Sequence, residues 1–129
     1  MIVDTSAIMA ILQKEPEAPT FGAALTEGAR IAISAATLAE LCVVAESRAG
    51  AAVWAEVEAL MADAAIEVVP FTAGQAALAR EGWRRFGKGR HPAGLNLGDC
   101  FAYALAQERG EPLLFKGGDF ALTDVRRAL

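Results

Sequence analysis

The chain has 129 residues, of which 54% are hydrophobic and 22% charged, and its formal net charge is −4 at pH 7. These values fit one compact, well-packed domain and argue against disorder and against non-specific wrapping of nucleic acid. No window is apolar and uncharged over the roughly 18 residues of a membrane span, and the apolar N-terminus carries Asp4 and no basic segment, which argues against a secretory signal peptide, so we expect a cytoplasmic protein. Two cysteines, no CxxC motif and one histidine also argue against a zinc site.

Short apolar runs alternate with longer helical patterns along the chain. The runs predict strands over residues 1–4, 30–34, 66–70 and 112–116, with a last small strand at Val125 as a further candidate. The patterns between them predict helices from Thr5, over 17–28, over 35–48, after Gly50, over 72–86 and over 97–110. This order predicts an α/β fold: a single domain over residues 1–129, with a central parallel sheet of four to five strands flanked by helices on both faces.

Four acidic residues are expected at one edge of that sheet, where the C-terminal ends of parallel strands meet and ligands usually bind. Asp4 ends the first strand, and Asp119 follows the fourth strand through two glycines. Glu40 lies in the second turn of the helix after the second strand, and Asp99 lies in the first turn of its helix. Asp4 and Asp119 would meet there if the first and fourth strands are neighbours.

Each of these acids also has a purely structural interpretation. Asp4 can cap the helix that follows it, and Asp119 can cap a turn. Asp99 can pair with Asn96 in a relative of the capping box, and Glu40 can be an ordinary surface glutamate. These structural roles do not explain why all four acids are expected at one edge of the sheet, and that coincidence favours a functional site.

Clustered carboxylates repel one another unless some stay protonated or a cation is shared among them. Mg²⁺ and Mn²⁺ suit oxygen ligands and take substrate phosphates as further partners. Such an ion activates water and stabilises the charge that develops on a phosphate. The four acids therefore predict a metal-dependent site that acts on a phosphate group. The chain has no glycine-rich nucleotide-binding motif and no GxSxG motif.

The segment RRFGKGRH, over residues 84–91, concentrates positive charge just before Asp99. The helix macrodipole accounts for cations at a helix C-terminus, but part of this segment lies beyond the helix, between glycines. Such a loop is suited to hold a phosphate backbone. The candidate backbone contacts are Arg84, Lys88, Arg90 and Lys116. We expect Trp83 and Phe86 to be core or rim residues rather than base-stacking platforms.

Four segments together resemble a PIN domain of the VapC type: MIVDTSAI, ISAATLAEL, GKGRHPAGLNLGDCFAYALA and KGGDFALTDV. The resemblance covers essentially the whole chain in order, and the third segment is the most specific. Proteins of this type are toxins of bacterial type II toxin–antitoxin pairs. The resemblance implies a parallel sheet flanked by helices, Mg²⁺- or Mn²⁺-dependent endoribonuclease activity on RNA, a homodimer, and a cognate VapB-like antitoxin that lies across the cleft.

The resemblance also assigns roles to particular residues. It implies that the metal ligands and catalytic residues are Asp4, Glu40, Asp99 and Asp119. Thr5 or Ser6 matches the small hydroxyl residue that follows the first aspartate and orients it or touches a metal-bound water. Asp124 matches a further acid with a supporting part, and the basic residues named above become candidate RNA contacts.

Two alternatives remain open from the sequence. A haloacid-dehalogenase-like phosphatase would use Asp4 as its nucleophile, but that type usually has a second aspartate two positions later, where this chain has Ser6. A binding module without catalytic activity would use the acidic cluster only to hold or regulate a partner. A trapped aspartyl-phosphate would support the former, and metal-independent partner binding without turnover the latter.

Overall fold

The computed structural model describes residues 1–27 and 30–129. Its strands are β1 (Ile2–Val3), β2 (Ala32–Ser34), β3 (Glu67–Val69) and β4 (Leu113–Leu114). Its helices are α1 (Thr5–Leu12), α2 (Ala18–Thr26), α3 (Ala35–Ala49), α4 (Val53–Asp63), α5 (Ala73–Phe86) and α6 (Leu97–Arg109), and a 3₁₀ turn spans Phe120–Leu122. The predicted end of the second helix at Gly28 lies outside the described residues. None of the helices in the described ranges is long and apolar enough to cross a membrane.

The four strands form one parallel sheet in the order β3-β2-β1-β4. This confirms the predicted α/β fold, and it makes β1 the neighbour of both β2 and β4. The residues that follow β1, β2 and β4 therefore emerge at the same edge of the sheet. Each strand is shorter than its apolar run because the flanking residues enter helix caps and turns.

The predicted fifth strand at Val125 is wrong. The tail forms a single parallel bridge to β4 at Arg127 instead, with the Leu113 amide bonded to the Arg126 carbonyl at 2.9 Å. The Val125 amide donates to the Thr123 hydroxyl at 3.3 Å, and its side chain packs against the core. A turn therefore takes the backbone donor that a strand would have used.

Alternate residues of each strand enter two separate cores, as the pleat of a strand requires. Ile2, Ala32 and Leu113 face one core, which α5 and α6 complete. The next residue along each strand, Val3, Ile33 and Leu114, faces the other core, which is built with α1 to α4. Both faces of the sheet are covered, as predicted, and the near-continuous apolar strand sequences follow from that double burial.

A glycine sets the approach of α5 to α6. A Cβ at Gly82 would lie 2.5 Å from Cδ1 of Tyr103, whose ring is 2% exposed. The Tyr103 ring cannot move away without disturbing the core around it, because protein interiors are close-packed. Gly82 is therefore a packing requirement of this helix pair.

We expect Gly82→Ala to lower the free energy of unfolding by about 1–3 kcal/mol, the usual cost of overpacking a core. The matched control is Gly22→Ala in α2, where no described atom lies within 4 Å of an added Cβ. That variant should raise stability by about 0.5–1 kcal/mol, because alanine loses less conformational freedom than glycine in a helix. Urea unfolding of both variants measures these two changes, and a change of the same sign in the free energy of unfolding of both would contradict this account.

Candidate active site

An open cleft of about 300 Å³ lies at the sheet edge where β1 and β2 lead into helices. Three of the four predicted acids line it, and each comes from a different element: Asp4 follows β1, Glu40 is on α3, and Asp99 is on α6. Two cations, Arg48 and Lys116, also line the cleft. The parallel topology thus brings together acids that are up to 95 positions apart in the chain.

Asp4 is the most buried of these acids, with 3% of its surface exposed. It is the N-cap of α1, and its Oδ2 accepts hydrogen bonds from the Ser6 amide at 3.0 Å and the Ser6 hydroxyl at 2.6 Å. Its other oxygen, Oδ1, is buried without a hydrogen-bond partner among the described residues. Burial raises the pKa of Asp4 to about 6, against the opposing effect of the bonds from Ser6.

Ser6 connects Asp4 to the neighbouring strand. Its hydroxyl oxygen accepts a hydrogen bond of 3.0 Å from the Lys116 backbone amide, just beyond β4, and the same hydroxyl donates a hydrogen bond to Asp4. The hydroxyl of Thr5 instead donates to the Thr37 carbonyl at 3.4 Å. Of the two hydroxyl residues after the first aspartate, Ser6 is the one that orients its carboxylate.

Asp99 occupies the third position of α6 and forms a capping box with Asn96. The Asp99 amide donates to Oδ1 of Asn96, and the Asn96 amide donates to Oδ2 of Asp99, both at 2.9 Å. Desolvation raises the pKa of Asp99 to about 7, and the negative charges of Asp4, Asp119 and Glu40 act in the same direction. The capping role is therefore real, and it coexists with a position among the other acids.

Glu40 is half-buried and lies directly over the backbone of α6 at Gly98. A Cβ at Gly98 would fall 1.3 Å from Oε2 of Glu40, so any side chain there would displace the carboxylate. Sequence reasoning did not single out Gly98, and its only signal was a glycine inside the first turn of a helix. The close approach of α3 to α6 at this point places Glu40 in the cleft.

The fourth predicted acid, Asp119, and the supporting acid, Asp124, do not line the cleft. Asp119 is exposed, precedes the 3₁₀ turn, and does not line the cleft, although its charge contributes to the raised pKa of Asp99. Asp124, expected to support the site, is bonded to Arg85 at 2.8 Å and to Gln107 at 3.0 Å on another part of the surface. The structure thus brings Asp119 near the site and leaves Asp124 outside it.

Of the predicted RNA contacts, Lys116 lies at the cleft, whereas Lys88 and Arg90 lie beside it. Lys116 lies at the cleft, where its ammonium group pairs with Glu15 and, at 3.2 Å, with Glu17. Arg90 stacks on the ring of Trp83, with 4.1 Å between its guanidinium carbon and the ring centroid. Lys88 is exposed and, with Trp83, lines a separate groove beside the cleft.

The donor set of the cleft fits a hard divalent cation. The unpartnered Oδ1 of Asp4 is the kind of buried oxygen that a cation would satisfy, and the mutual repulsion at Asp99 would be relieved by positive charge. Within residues 1–27 and 30–129, no three acidic, histidine or cysteine side chains already converge on one metal position. Mg²⁺ commonly binds through one or two carboxylates and completes its shell with waters and phosphates, which suits spaced acids.

Comparison with known proteins places the chain in context. The PIN domain profile matches residues 1–126. A ribonuclease VapC of Mycolicibacterium smegmatis is 47% identical over 125 residues, which cover 97% of each protein. Ribonuclease VapC28 of Mycobacterium tuberculosis is 47% identical over 130 residues, which cover 100% of this chain and 98% of that protein.

Solved structures share the fold at lower identity. VapC20 of Mycobacterium tuberculosis, a toxin that cleaves the sarcin–ricin loop, matches with a TM-score of 0.77 at 19% identity, over 96% of this chain and 95% of that one. A toxin–antitoxin complex from Klebsiella pneumoniae matches with a TM-score of 0.67 at 22% identity, over 95% of this chain and 92% of that one.

The raised pKa values of Asp4 and Asp99 predict how stability depends on pH when no metal is bound. Between the ordinary value of 3.8 and the raised values of about 6 and about 7, the folded protein holds protons that the unfolded chain releases. The contribution of these two acids to stability should therefore be greatest below this window and fall as pH rises through it. Asp99→Asn, which keeps the capping geometry without the charge, should make the fall shallower.

Urea midpoints measured in chelator across this pH range test the prediction. The matched control is Asp63→Asn, at the exposed end of α4, which should keep the wild-type slope. Equal slopes for wild type and Asp99→Asn would contradict the electrostatic account of the cleft.

Proposed function

This chain belongs to the PIN domain family, and from that premise we propose that it is a metal-dependent endoribonuclease, the toxin of a type II toxin–antitoxin pair. The observation that carries the proposal is the buried, unpartnered Oδ1 of Asp4 among the described residues, in a cleft that Glu40 and Asp99 share. The names of the relatives at 47% identity support ribonuclease activity. The proposal treats residues 1–129 as one PIN domain, acting on RNA in the cytoplasm.

The residues proposed to hold the cation are Asp4, Glu40, Asp99 and Asp119, and Mg²⁺ or Mn²⁺ is the ion that suits their oxygens. When bound, such an ion supplies an activated water for attack on the phosphodiester and offsets the charge that develops on the phosphate.

The chain's own groups prepare this site. Ser6 holds Oδ2 of Asp4 and leaves Oδ1 without a hydrogen-bond partner among the described residues, so the carboxylate is oriented before any ligand arrives. Asn96 holds one oxygen of Asp99 in the same manner through its backbone amide. Fixing each carboxylate through a single oxygen limits the reorganisation needed on binding, which is the usual basis of a preorganised site.

Lys116 is the proposed phosphate contact nearest to these acids. Its ammonium group already has two carboxylate partners, Glu15 and Glu17. Binding a phosphate oxygen therefore means exchanging one anionic partner for another rather than desolvating a free cation. Arg84, Lys88 and Arg90 remain proposed contacts to the RNA backbone beyond the cleft.

The proposed partners are a VapB-like antitoxin and a second copy of the chain. The fold shared with a toxin–antitoxin complex supports the antitoxin. Partly buried apolar side chains on α1 and α4, among them Ile11, Leu12, Trp54 and Leu60, pack against the core that α1 to α4 build. We propose that the antitoxin covers this apolar surface.

We expect Asp99→Asn to lower metal-dependent cleavage of RNA by more than about a hundredfold, since it removes a proposed metal ligand and not merely a residue that supports one. The fold should persist, because asparagine can still accept the hydrogen bond from the Asn96 amide. Cleavage of total RNA with Mg²⁺, Mn²⁺ or chelator checks the activity, and circular dichroism checks the fold. Asp63→Asn should cut as wild type does, and normal metal-dependent cutting by Asp99→Asn would remove this residue from the site.

A second prediction concerns Gly98. Gly98→Ala should displace Glu40 and weaken metal binding, while stability changes little because a flexible carboxylate gives way and alanine favours a helix. The readout is the rise in melting temperature on adding Mn²⁺, which mass action ties to affinity for the folded state. Gly74→Ala in α5, where an added Cβ meets only ordinary contacts, is the matched control. An unchanged Mn²⁺ response in Gly98→Ala would argue against Glu40 as a ligand.

A further inference from the structure

A groove of about 490 Å³ lies beside the acidic cleft, on the surface of α5 and α6. Asn96 lines both the groove and the cleft, so the two spaces adjoin at the start of α6. The groove is mainly apolar, and the side chains that matter for its chemistry are Phe71, Arg80, Trp83, Lys88, Leu97 and Phe101.

Of the aromatic side chains of the groove, Trp83 and Phe71 are exposed and Phe101 is half-buried, and all three are held by neighbouring groups. Trp83 is 42% exposed, and Arg90 stacks on its ring. A Cβ at Gly87 would lie 2.5 Å from Cδ1 of Trp83, so this glycine lets the indole pack against the start of the loop. Phe71 and Phe101 meet edge to face, with 5.1 Å between their centroids. Rigid aromatic surface of this kind binds flat ligands with little loss of side-chain entropy.

The charge of the groove selects among possible occupants. Arg80 and Lys88 line it, Arg90 lies at its rim on Trp83, and none of the aspartates or glutamates in the described parts of the chain contributes to the lining. A second copy of this chain, placed on the groove by a twofold axis, would bring these cations towards one another. A polyanion that carries flat, apolar rings matches both the charge and the aromatic surface.

We infer that the groove is a base-binding subsite, which takes an unpaired nucleobase of single-stranded RNA adjacent to the phosphate bound in the acidic cleft. This inference rests on the proposed ribonuclease function, and it adds the path that the RNA strand takes beside the cleft. Aromatic side chains stack on any base, and cations beside them bind the backbone, so the subsite would be tolerant of sequence. The exposure of Trp83 agrees with the expectation of a rim residue, and this inference adds a stacking role to it.

The test uses a protein in which Trp83 is the sole tryptophan and cleavage is blocked. Trp54→Phe removes the other of the chain's two tryptophans, and Asp99→Asn blocks the proposed reaction. The probe is a labelled single-stranded RNA of about eight nucleotides, within the usual site size of such grooves. Binding is followed by RNA anisotropy and by Trp83 emission. A series of probes carries one abasic position each.

We expect RNA to quench Trp83 emission and one abasic position to weaken binding by about tenfold. Trp83→Ala should weaken binding of the intact RNA by a similar factor and abolish the sensitivity to that position. Trp83→Phe, which keeps an aromatic face, should restore both. A uniform response to all abasic positions, or unchanged binding by Trp83→Ala, would overturn the inference.

Sedimentation of the same variants tests whether a second copy of the chain occupies the groove instead. If Trp83→Ala converts a dimer to a monomer and RNA affinity falls only as the dimer dissociates, the groove is a contact between copies and the inference is wrong. Wild-type protein that fails to cut RNA with Mg²⁺ or Mn²⁺ would instead defeat the ribonuclease proposal. The binding arm still decides the base subsite in that case, because it does not depend on cleavage.

Discussion

A carboxylate buried at the end of the central strand is the constraint on which the site depends. Asp4 lies between the ends of β2 and β4, where its neighbours exclude water from one of its oxygens. Removing a carboxylate from water is costly unless hydrogen bonds or a cation compensate. Ser6 compensates on one side and also receives the Lys116 amide, so the same hydroxyl fixes the acid and ties β1 to the strand beside it. The other oxygen of Asp4, Oδ1, has no hydrogen-bond partner among the described residues.

Structural and functional interpretations of the acids are not exclusive here. Asp4 caps α1 and Asp99 completes a capping box on α6, and both also line the cleft. A helix N-terminus supplies backbone donors that fix one oxygen of a carboxylate and leave the other free. A parallel sheet gathers such helix starts at one edge. Capping thus orients the acids, and this dual use explains why each residue alone looked ordinary in the sequence.

The sequence was sufficient for the features that local pattern and topology determine. Apolar runs and helical spacing gave the parallel sheet, and the position of each acid relative to its strand placed Asp4, Glu40 and Asp99 at a common edge. The features that could not be predicted are contacts between distant parts of the chain. Three such contacts are the Asp124–Arg85 ion pair, the Glu15–Lys116 ion pair, and the close approach of Glu40 to Gly98. Each depends on a neighbour that is distant in the chain and comes close only through tertiary packing. The strand predicted at Val125 was wrong because an apolar residue in a tail can enter the core from a turn as well as from a strand.

The distribution of charge around α6 reconciles an acidic protein with an anionic substrate. The acids of the cleft repel a phosphate as well as one another, and of the two cations that line the cleft, Lys116 is already paired with glutamates. Further positive charge lies along the adjoining groove, on α5 and the loop before α6, where the described lining carries no carboxylate to oppose it. On the proposals made above, an RNA strand would therefore gain attraction and stacking from the groove beside the acidic cleft. A phosphate would enter that cleft together with a metal cation, which would make metal binding and substrate binding mutually dependent through the same carboxylates.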